Sequence, residues 1–246
     1  MTIPMPSGVT ANSPRFSPDG QRLSFDYGEG LNDSLAVVDR DGKNLQVLAS
    51  GCSTFCENAW HPTSGEIYFA SEDGVSAVAA AGGTPRLVHD SFGVTALDVS
   101  PDSQYVAFNE FDPVLLKLSD NSTRTVSMPD SSGIYSLRFS PDGKKLLYHD
   151  YDTHSIRIRD LVTDATATVI DTDNYLTGAD WFPDGKRLAV LTDKGLELFT
   201  LQEGAEPTRQ LLKSGSALKD VDVSPDGTAI AYCINGQRSI FVLTGF

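Results

Sequence analysis

The sequence lacks most of what would mark a membrane-spanning, disulfide-built or nucleic-acid-binding protein. No apolar run approaches the roughly 18 residues that a bilayer-crossing helix requires. Only three cysteines occur in 246 residues, too few for a small disulfide scaffold. Positive charge is scarce, with 19 Lys and Arg against 33 Asp and Glu and a formal net charge of −14. Such a surface repels phosphate backbones and anionic lipid, so the partner expected is another protein with a basic surface, and neither nucleic acid nor membrane insertion is expected. The opening residues, Met1-Thr-Ile-Pro-Met-Pro6, carry neither the basic nor the apolar segment of a secretory signal. No stretch of roughly ten residues or more shows the apolar stripe of an amphipathic helix.

Catalytic signatures are missing too. The sequence has no Gly-x-Ser-x-Gly elbow, no His-Glu-x-x-His, no phosphate-binding P-loop and no Gly-x-Gly-x-x-Gly ahead of a helix. The four histidines, His61, His89, His149 and His154, fall in three repeats and read as structural residues. Asp171-Thr-Asp-Asn-Tyr175 begins like a calcium loop, but Leu176 stands where the sharp turn needs glycine, so it reads as a solvated connection.

What the sequence does have is a repeat. Six segments align with one another: Pro14-Arg-Phe-Ser-Pro-Asp-Gly20, Asn58-Ala-Trp-His-Pro62, Leu97-Asp-Val-Ser-Pro-Asp102, Leu137-Arg-Phe-Ser-Pro-Asp-Gly143, Ala179-Asp-Trp-Phe-Pro-Asp-Gly185 and Val221-Asp-Val-Ser-Pro-Asp-Gly227. Their prolines, from Pro18 to Pro225, are spaced by 44, 39, 40, 42 and 42 residues. That period is the length of a four-stranded propeller blade. Within a unit, short alternating segments such as Lys145 to Asp150 and Ser155 to Asp160 read as strands, separated by Pro-Asp-Gly turns. The expected fold is all-β, a closed six-bladed β-propeller of four antiparallel strands per blade, spanning residues 1–246 as one domain. Only 21 residues follow Pro225, too few for a complete blade, and 17 precede Pro18, more than its first strand needs. The segment around Thr2 to Met5 is therefore expected to supply the outer strand of the last blade. The second unit (His61-Pro-Thr-Ser-Gly65) and the third (Ser100-Pro-Asp-Ser-Gln104) depart from the pattern, and their turns are expected to differ.

The run Phe139-Ser-Pro-Asp-Gly-Lys-Lys-Leu-Leu-Tyr148 resembles the TolB-like or PD40 propeller repeat. The resemblance extends over essentially the whole chain. It implies a non-catalytic module for protein interaction or ligand sensing, and a periplasmic or otherwise extracytoplasmic location in the bacterial envelope. Two alternatives stand beside it: a hydrolase or lyase using carboxylates at the central channel, and an accessory propeller belonging to a larger peptidase or receptor.

Three groups of residues are site candidates. Register places Arg15, Asp98, Arg138, Asp180 and Asp222, each three residues before a repeat proline, on the channel, together with Glu57 and Asp220 two residues earlier. They would bind a cation such as Ca²⁺ or a basic side chain, or would only pair with one another. Apart from that cation no cofactor or metal is expected. Cys52 and Cys56 lie in one short loop and form either a disulfide or two free thiols; Cys233 reads as a buried strand residue. Finally, the loops on the face opposite the Pro-Asp-Gly turns collect acids, among them Asp26, Asp73, Asp90 and Glu110, and the aromatics Tyr27, Phe55, Phe92, Phe111, Tyr151 and Tyr175. Aromatics amid acids suit a basic protein partner of a monomeric propeller. The ring of Phe16, Trp60, Val99, Phe139, Trp181 and Val223 reads instead as packing between blades.

Overall fold

The computed structural model describes residues 1–29, 32–52, 56–110, 112–128, 133–150, 153–171 and 178–246. After β1 (Thr2–Pro4), the first blade comprises β2 (Val9–Phe16), β3 (Arg22–Glu29), β4 (Asn32–Asp39) and β5 (Gln46–Ser50). The second holds β6 (Asn58–Trp60), β7 (Glu66–Ser71), β8 (Gly74–Ala79) and β9 (Arg86–Asp90), and the third β10 (Leu97–Val99), β11 (Tyr105–Asn109), β12 (Pro113–Lys117) and β13 (Thr123–Thr125). The fourth is β14 (Ile134–Phe139), β15 (Lys145–Asp150), β16 (Ser155–Asp160) and β17 (Thr166–Asp171). The fifth is β18 (Ala179–Trp181), β19 (Arg187–Thr192), β20 (Gly195–Gln202) and β21 (Ala205–Ser214), and the sixth begins β22 (Leu218–Val223), β23 (Ala229–Ile234), β24 (Ser239–Thr244).

All six sheets are four-stranded and antiparallel, and β1 completes the sixth in the order β1-β24-β23-β22. Thr2, Ile3 and Pro4 pair with Phe241, Ile240 and Ser239. The N-terminal strand thus closes a six-bladed propeller, as the residue count at the termini requires. The innermost strands contact one another around a complete circuit, β22 against β2, then β6, β10, β14, β18 and β22 again.

Strand alternation explains why the ring holds together. In β7, Ile67 and Phe69 face the first blade while Tyr68 and Ala70 face the third. Each blade therefore divides its apolar residues between two neighbours. The result is six apolar clusters, one at every blade interface. Phe16, Trp60, Val99, Phe139, Trp181 and Val223 each sit in the cluster shared with the preceding blade. Cys233 is fully buried between the sixth blade and the first.

The turn after each innermost strand is built from side chains. Ser17, Ser100, Ser140 and Ser224 each donate a hydroxyl to the aspartate two residues on, at 2.6 Å. Each of those aspartates accepts a backbone N–H two residues further along. The Ser224 hydroxyl, with the donors of Thr228, holds Asp226 down to about 2. The third turn does not differ as its sequence leads one to expect. Ser103, at φ 61°, takes the left-handed position that Gly20 (67°) and Gly143 (69°) hold elsewhere. The second turn does differ, since His61 Nδ1 accepts the N–H groups of Thr63 and Ser64 at 3.2 and 3.0 Å.

Ile3 is 1% exposed and lies in the cluster that joins the sixth blade to the first. Ile3→Ala should therefore lower the unfolding free energy by about 2–5 kcal/mol, the range for truncating a buried isoleucine. A urea melt of the variant checks this, and an unchanged midpoint would show that ring closure contributes nothing to stability.

Candidate functional site

The carboxylates that line the channel join one blade to the next. Asp98 Oδ2 accepts the backbone N–H of Phe139, Asp180 Oδ2 that of Val223 and Asp222 Oδ2 that of Phe16, each at 2.7 Å. All three sit three residues before a repeat proline and reach the same position of the following blade. Where that residue is Arg15, the following blade presents Trp60, whose indole N–H donates to the Arg15 carbonyl at 3.1 Å.

Two arginines cross the axis. Arg15 Nη1 lies 3.1 Å from Asp222 Oδ1, and Arg15 Nη2 lies 3.6 Å from Glu57 Oε2. Arg138, on the opposite side of the ring, reaches the same Glu57 oxygen at 3.7 Å. The Ser13 hydroxyl donates to Glu57 Oε1 at 2.8 Å, and the Ser13 N–H donates to Asp220 Oδ2 at 3.2 Å. Ser13 and Asp220 adopt left-handed φ of 47° and 52° at irregularities of the inner strands. Arg15, Glu57, Arg138, Asp220 and Asp222 thus form one network. It lies between a cavity of about 260 Å³ on the Pro-Asp-Gly side and one of about 40 Å³ on the other.

Burial sets the electrostatics. It raises Asp98, Asp180, Asp220 and Asp222 above the ordinary carboxylate range, and the mutual repulsion of Asp180 and Asp222 raises Asp180 further. Burial and the charge on Arg15 together depress Arg138. Burial opposes the charge on Arg15 as well, but Asp222 and Glu57 outweigh it and raise its pKa. The carboxylates engage amides and guanidinium groups instead of gathering at a point. Among the described residues no three Asp, Glu, His or Cys side chains come close enough to hold a metal ion.

Other candidates are more scattered. Cys52 and Cys56 are joined in a disulfide with Cα atoms 5.1 Å apart. The histidines occupy two blades and not three: His61 and His89 belong to the second, His149 and His154 to the fourth. Burial lowers His149 to about 4. On the loop face Phe92 is 96% exposed. Its neighbour Ser91 donates its hydroxyl to Glu110 at 3.0 Å and its N–H to the Asp73 carbonyl at 3.2 Å. Tyr27 is no loop aromatic; it lies in β3, half-buried against the cluster between the sixth and first blades. Phe55, Phe111, Tyr151 and Tyr175 lie outside the described residues.

Comparison with solved structures bears on the fold. The chain superimposes on hydrazine synthase of Kuenenia stuttgartiensis with a TM-score of 0.68 at 18% identity, over 94% of this chain and 75% of that one. It matches a chain of the mitotic checkpoint complex at 0.67 and 16% identity, over 98% and 76%. TolB from Acinetobacter baumannii gives 0.63 at 15% identity, over 94% of this chain and 56% of that chain. The likeness is one of fold. An enzyme and a component of a large assembly share it, so the fold by itself selects neither activity. No family model matches the sequence, and no curated protein does.

One buried group escaped the sequence reading. Asp26, placed there among the exposed loop acids, is 1% exposed and lies in β3. Its Oδ2 accepts the Asn12 amide at 2.8 Å, and Asn12 Oδ1 in turn accepts Lys219 Nζ. Burial pushes Asp26 up to about 7. An acid whose pKa is higher folded than unfolded stabilises the fold fully below its unfolded pKa and loses that contribution as pH rises through its folded value. Asp26→Asn should accordingly melt higher than the parent at ~pH 8 and match it at ~pH 3, below the unfolded pKa, where both side chains are neutral. Thermal melts at the two pH values test this; an equal difference at both would mean that the charge of Asp26 has no part in it.

Proposed function

We propose that this chain is a non-catalytic binding module, a propeller of the TolB-like PD40 repeat type, whose acidic loop face docks a protein with a basic surface. The observation that carries the reading is Phe92. A phenylalanine left 96% exposed beside Asp73, Asp90 and Glu110 supplies area for a partner to bury, and the carboxylates supply the field that attracts a basic one. The engagement of Asp98, Asp180 and Asp222 with backbone amides supports binding over hydrolysis or elimination at the channel, because these carboxylates already have structural work. The net charge of −14 is unsuited to nucleic acid. No helix among the described residues is long and apolar enough to cross a membrane. In this reading the propeller acts as a monomer.

The reading is tested with a partner captured on the immobilised protein and then titrated against variants. Phe92→Ala combined with Glu110→Gln should weaken binding by about tenfold or more, the scale of a hot-spot residue, and added salt should weaken it further. Lys144→Ala with Lys145→Ala, on the Pro-Asp-Gly face, should leave affinity unchanged. The reverse pattern would overturn the assignment of the face.

The disulfide between Cys52 and Cys56 supports an extracytoplasmic, periplasmic location, since such bonds persist in oxidising compartments. Acid-trapped protein from its host, denatured and alkylated without reduction, should accept one label, at Cys233, and three after reduction. Three labels without reduction would place the protein in a reducing compartment.

A further inference from the structure

The six positions three residues before the repeat prolines are, in ring order, Arg15, Ala59, Asp98, Arg138, Asp180 and Asp222. Two carry positive charge, three carry negative charge and one is a methyl group. The methyl group leaves room. The 260 Å³ cavity on the Pro-Asp-Gly side lies at Ala59, walled by Phe16, Trp60 and the repeat prolines Pro18, Pro62 and Pro101. Arg22 stacks over the Trp60 ring at 5.1 Å and Arg40 over the Phe16 ring at 5.5 Å, which fixes both walls.

At the base of this cavity are Arg15, Asp98 and Asp222. Arg15 and Asp222 neutralise each other at 3.1 Å. Asp98 is different. Its Oδ2 accepts the Phe139 N–H, and of the three channel carboxylates without an ion pair among the described residues, Asp98, Asp180 and Asp220, it is the one that lines this cavity. The gap in the ring therefore sits beside a carboxylate without an ion pair, and one added positive charge would bring the six positions to three against three.

We propose that the cavity at Ala59 binds a monovalent organic cation, an ammonium or guanidinium on a slender apolar stem, with its head paired to Asp98 and its stem against Trp60 and the prolines. The apolar walls suit a stem and not a hydrated metal ion, which needs several oxygen ligands in place of ring carbons. A stem carrying one cationic head also matches the one carboxylate of this cavity that has no ion pair. The site lies on the face opposite Phe92 and stands or falls independently of the docking proposed there.

The test is titration with n-butylguanidinium and n-butylammonium, and with the neutral n-butylurea and 1-butanol as controls. Binding is read by calorimetry and by the fluorescence of Trp60 in a Trp181→Phe background. Both cations should saturate a single site while the neutral molecules do not. Asp98→Asn keeps the acceptor for Phe139 and removes the charge, so it should weaken cation binding by about tenfold, the order expected for one partner of a partly buried pair. Ala59→Arg supplies the missing charge from the chain itself and should abolish binding while raising Tm. If that variant does not fold, Asp98→Asn still decides. The proposal is overturned by neutral molecules that bind as tightly as the cations, by unchanged affinity in a folded Asp98→Asn protein, or by Ca²⁺ or Mg²⁺ saturating the site where the organic cations do not.

Discussion

A blade of this protein has apolar side chains on both faces, so it needs two neighbours before all of them leave water. Tyr68 and Ala70 require the third blade as much as Ile67 and Phe69 require the first. That mutual dependence makes closure of the ring the condition for everything else. Hydrophobic burial is roughly proportional to the area removed from water, and an open ring would leave two complete blade faces exposed. The pairing of β1 with β24 brings Ile3 into the last interface and removes that exposure. The Pro-Asp-Gly turns and the carboxylate-to-amide bonds then fix how each blade sits against the next.

Closure creates a second problem at the centre. The innermost strands converge, and their inward side chains are confined in a narrow space where charge is costly unless paired. Apolar residues would solve this by packing, as they do at the blade interfaces. Here ion pairs and backbone amides are used, so the core of the ring is polar while its walls are not. Arg15 joins the first blade to the second and the sixth, and Glu57 extends the connection to Arg138 in the fourth. The raised pKa values of Asp98, Asp180, Asp220 and Asp222 record the residual cost of confining several carboxylates around two guanidinium groups.

The features legible in the sequence are those that repeat. The proline spacing, the blade count and the shared last blade follow from periodicity and from counting residues at the termini. The positions of Arg15, Asp98, Arg138, Asp180 and Asp222 follow from register alone. What register does not reveal is the local irregularity of the inner strands of the first, fourth and sixth blades. Ser13 and Asp220 bond across neighbouring blades because of left-handed backbone at those points. Asp26 illustrates a different limit: it looks like one more loop acid, and its burial arises because β3 extends to Glu29 and carries it inward. Tyr27 is drawn into the structure by the same extension. In the third turn, Ser103 adopts a conformation that usually falls to glycine, a possibility that composition gives little reason to expect.

The shared blade also sets a timetable for biosynthesis. Within the propeller, Thr2 leaves the ribosome with the first strand, and its partner Phe241 only with β24. Until then β1 has no strand beside it, and the interface of the first blade with the sixth lacks Ile240 and Val242. Contacts between residues so distant in sequence close slowly, because the chain must first lose the entropy of the loop between them. The ring therefore closes only once β24 has been synthesised, and a message truncated shortly before Ser239 would yield a chain whose last blade lacks Ile240 and Val242 and whose β1 is unpaired, a ready substrate for chaperones or proteases.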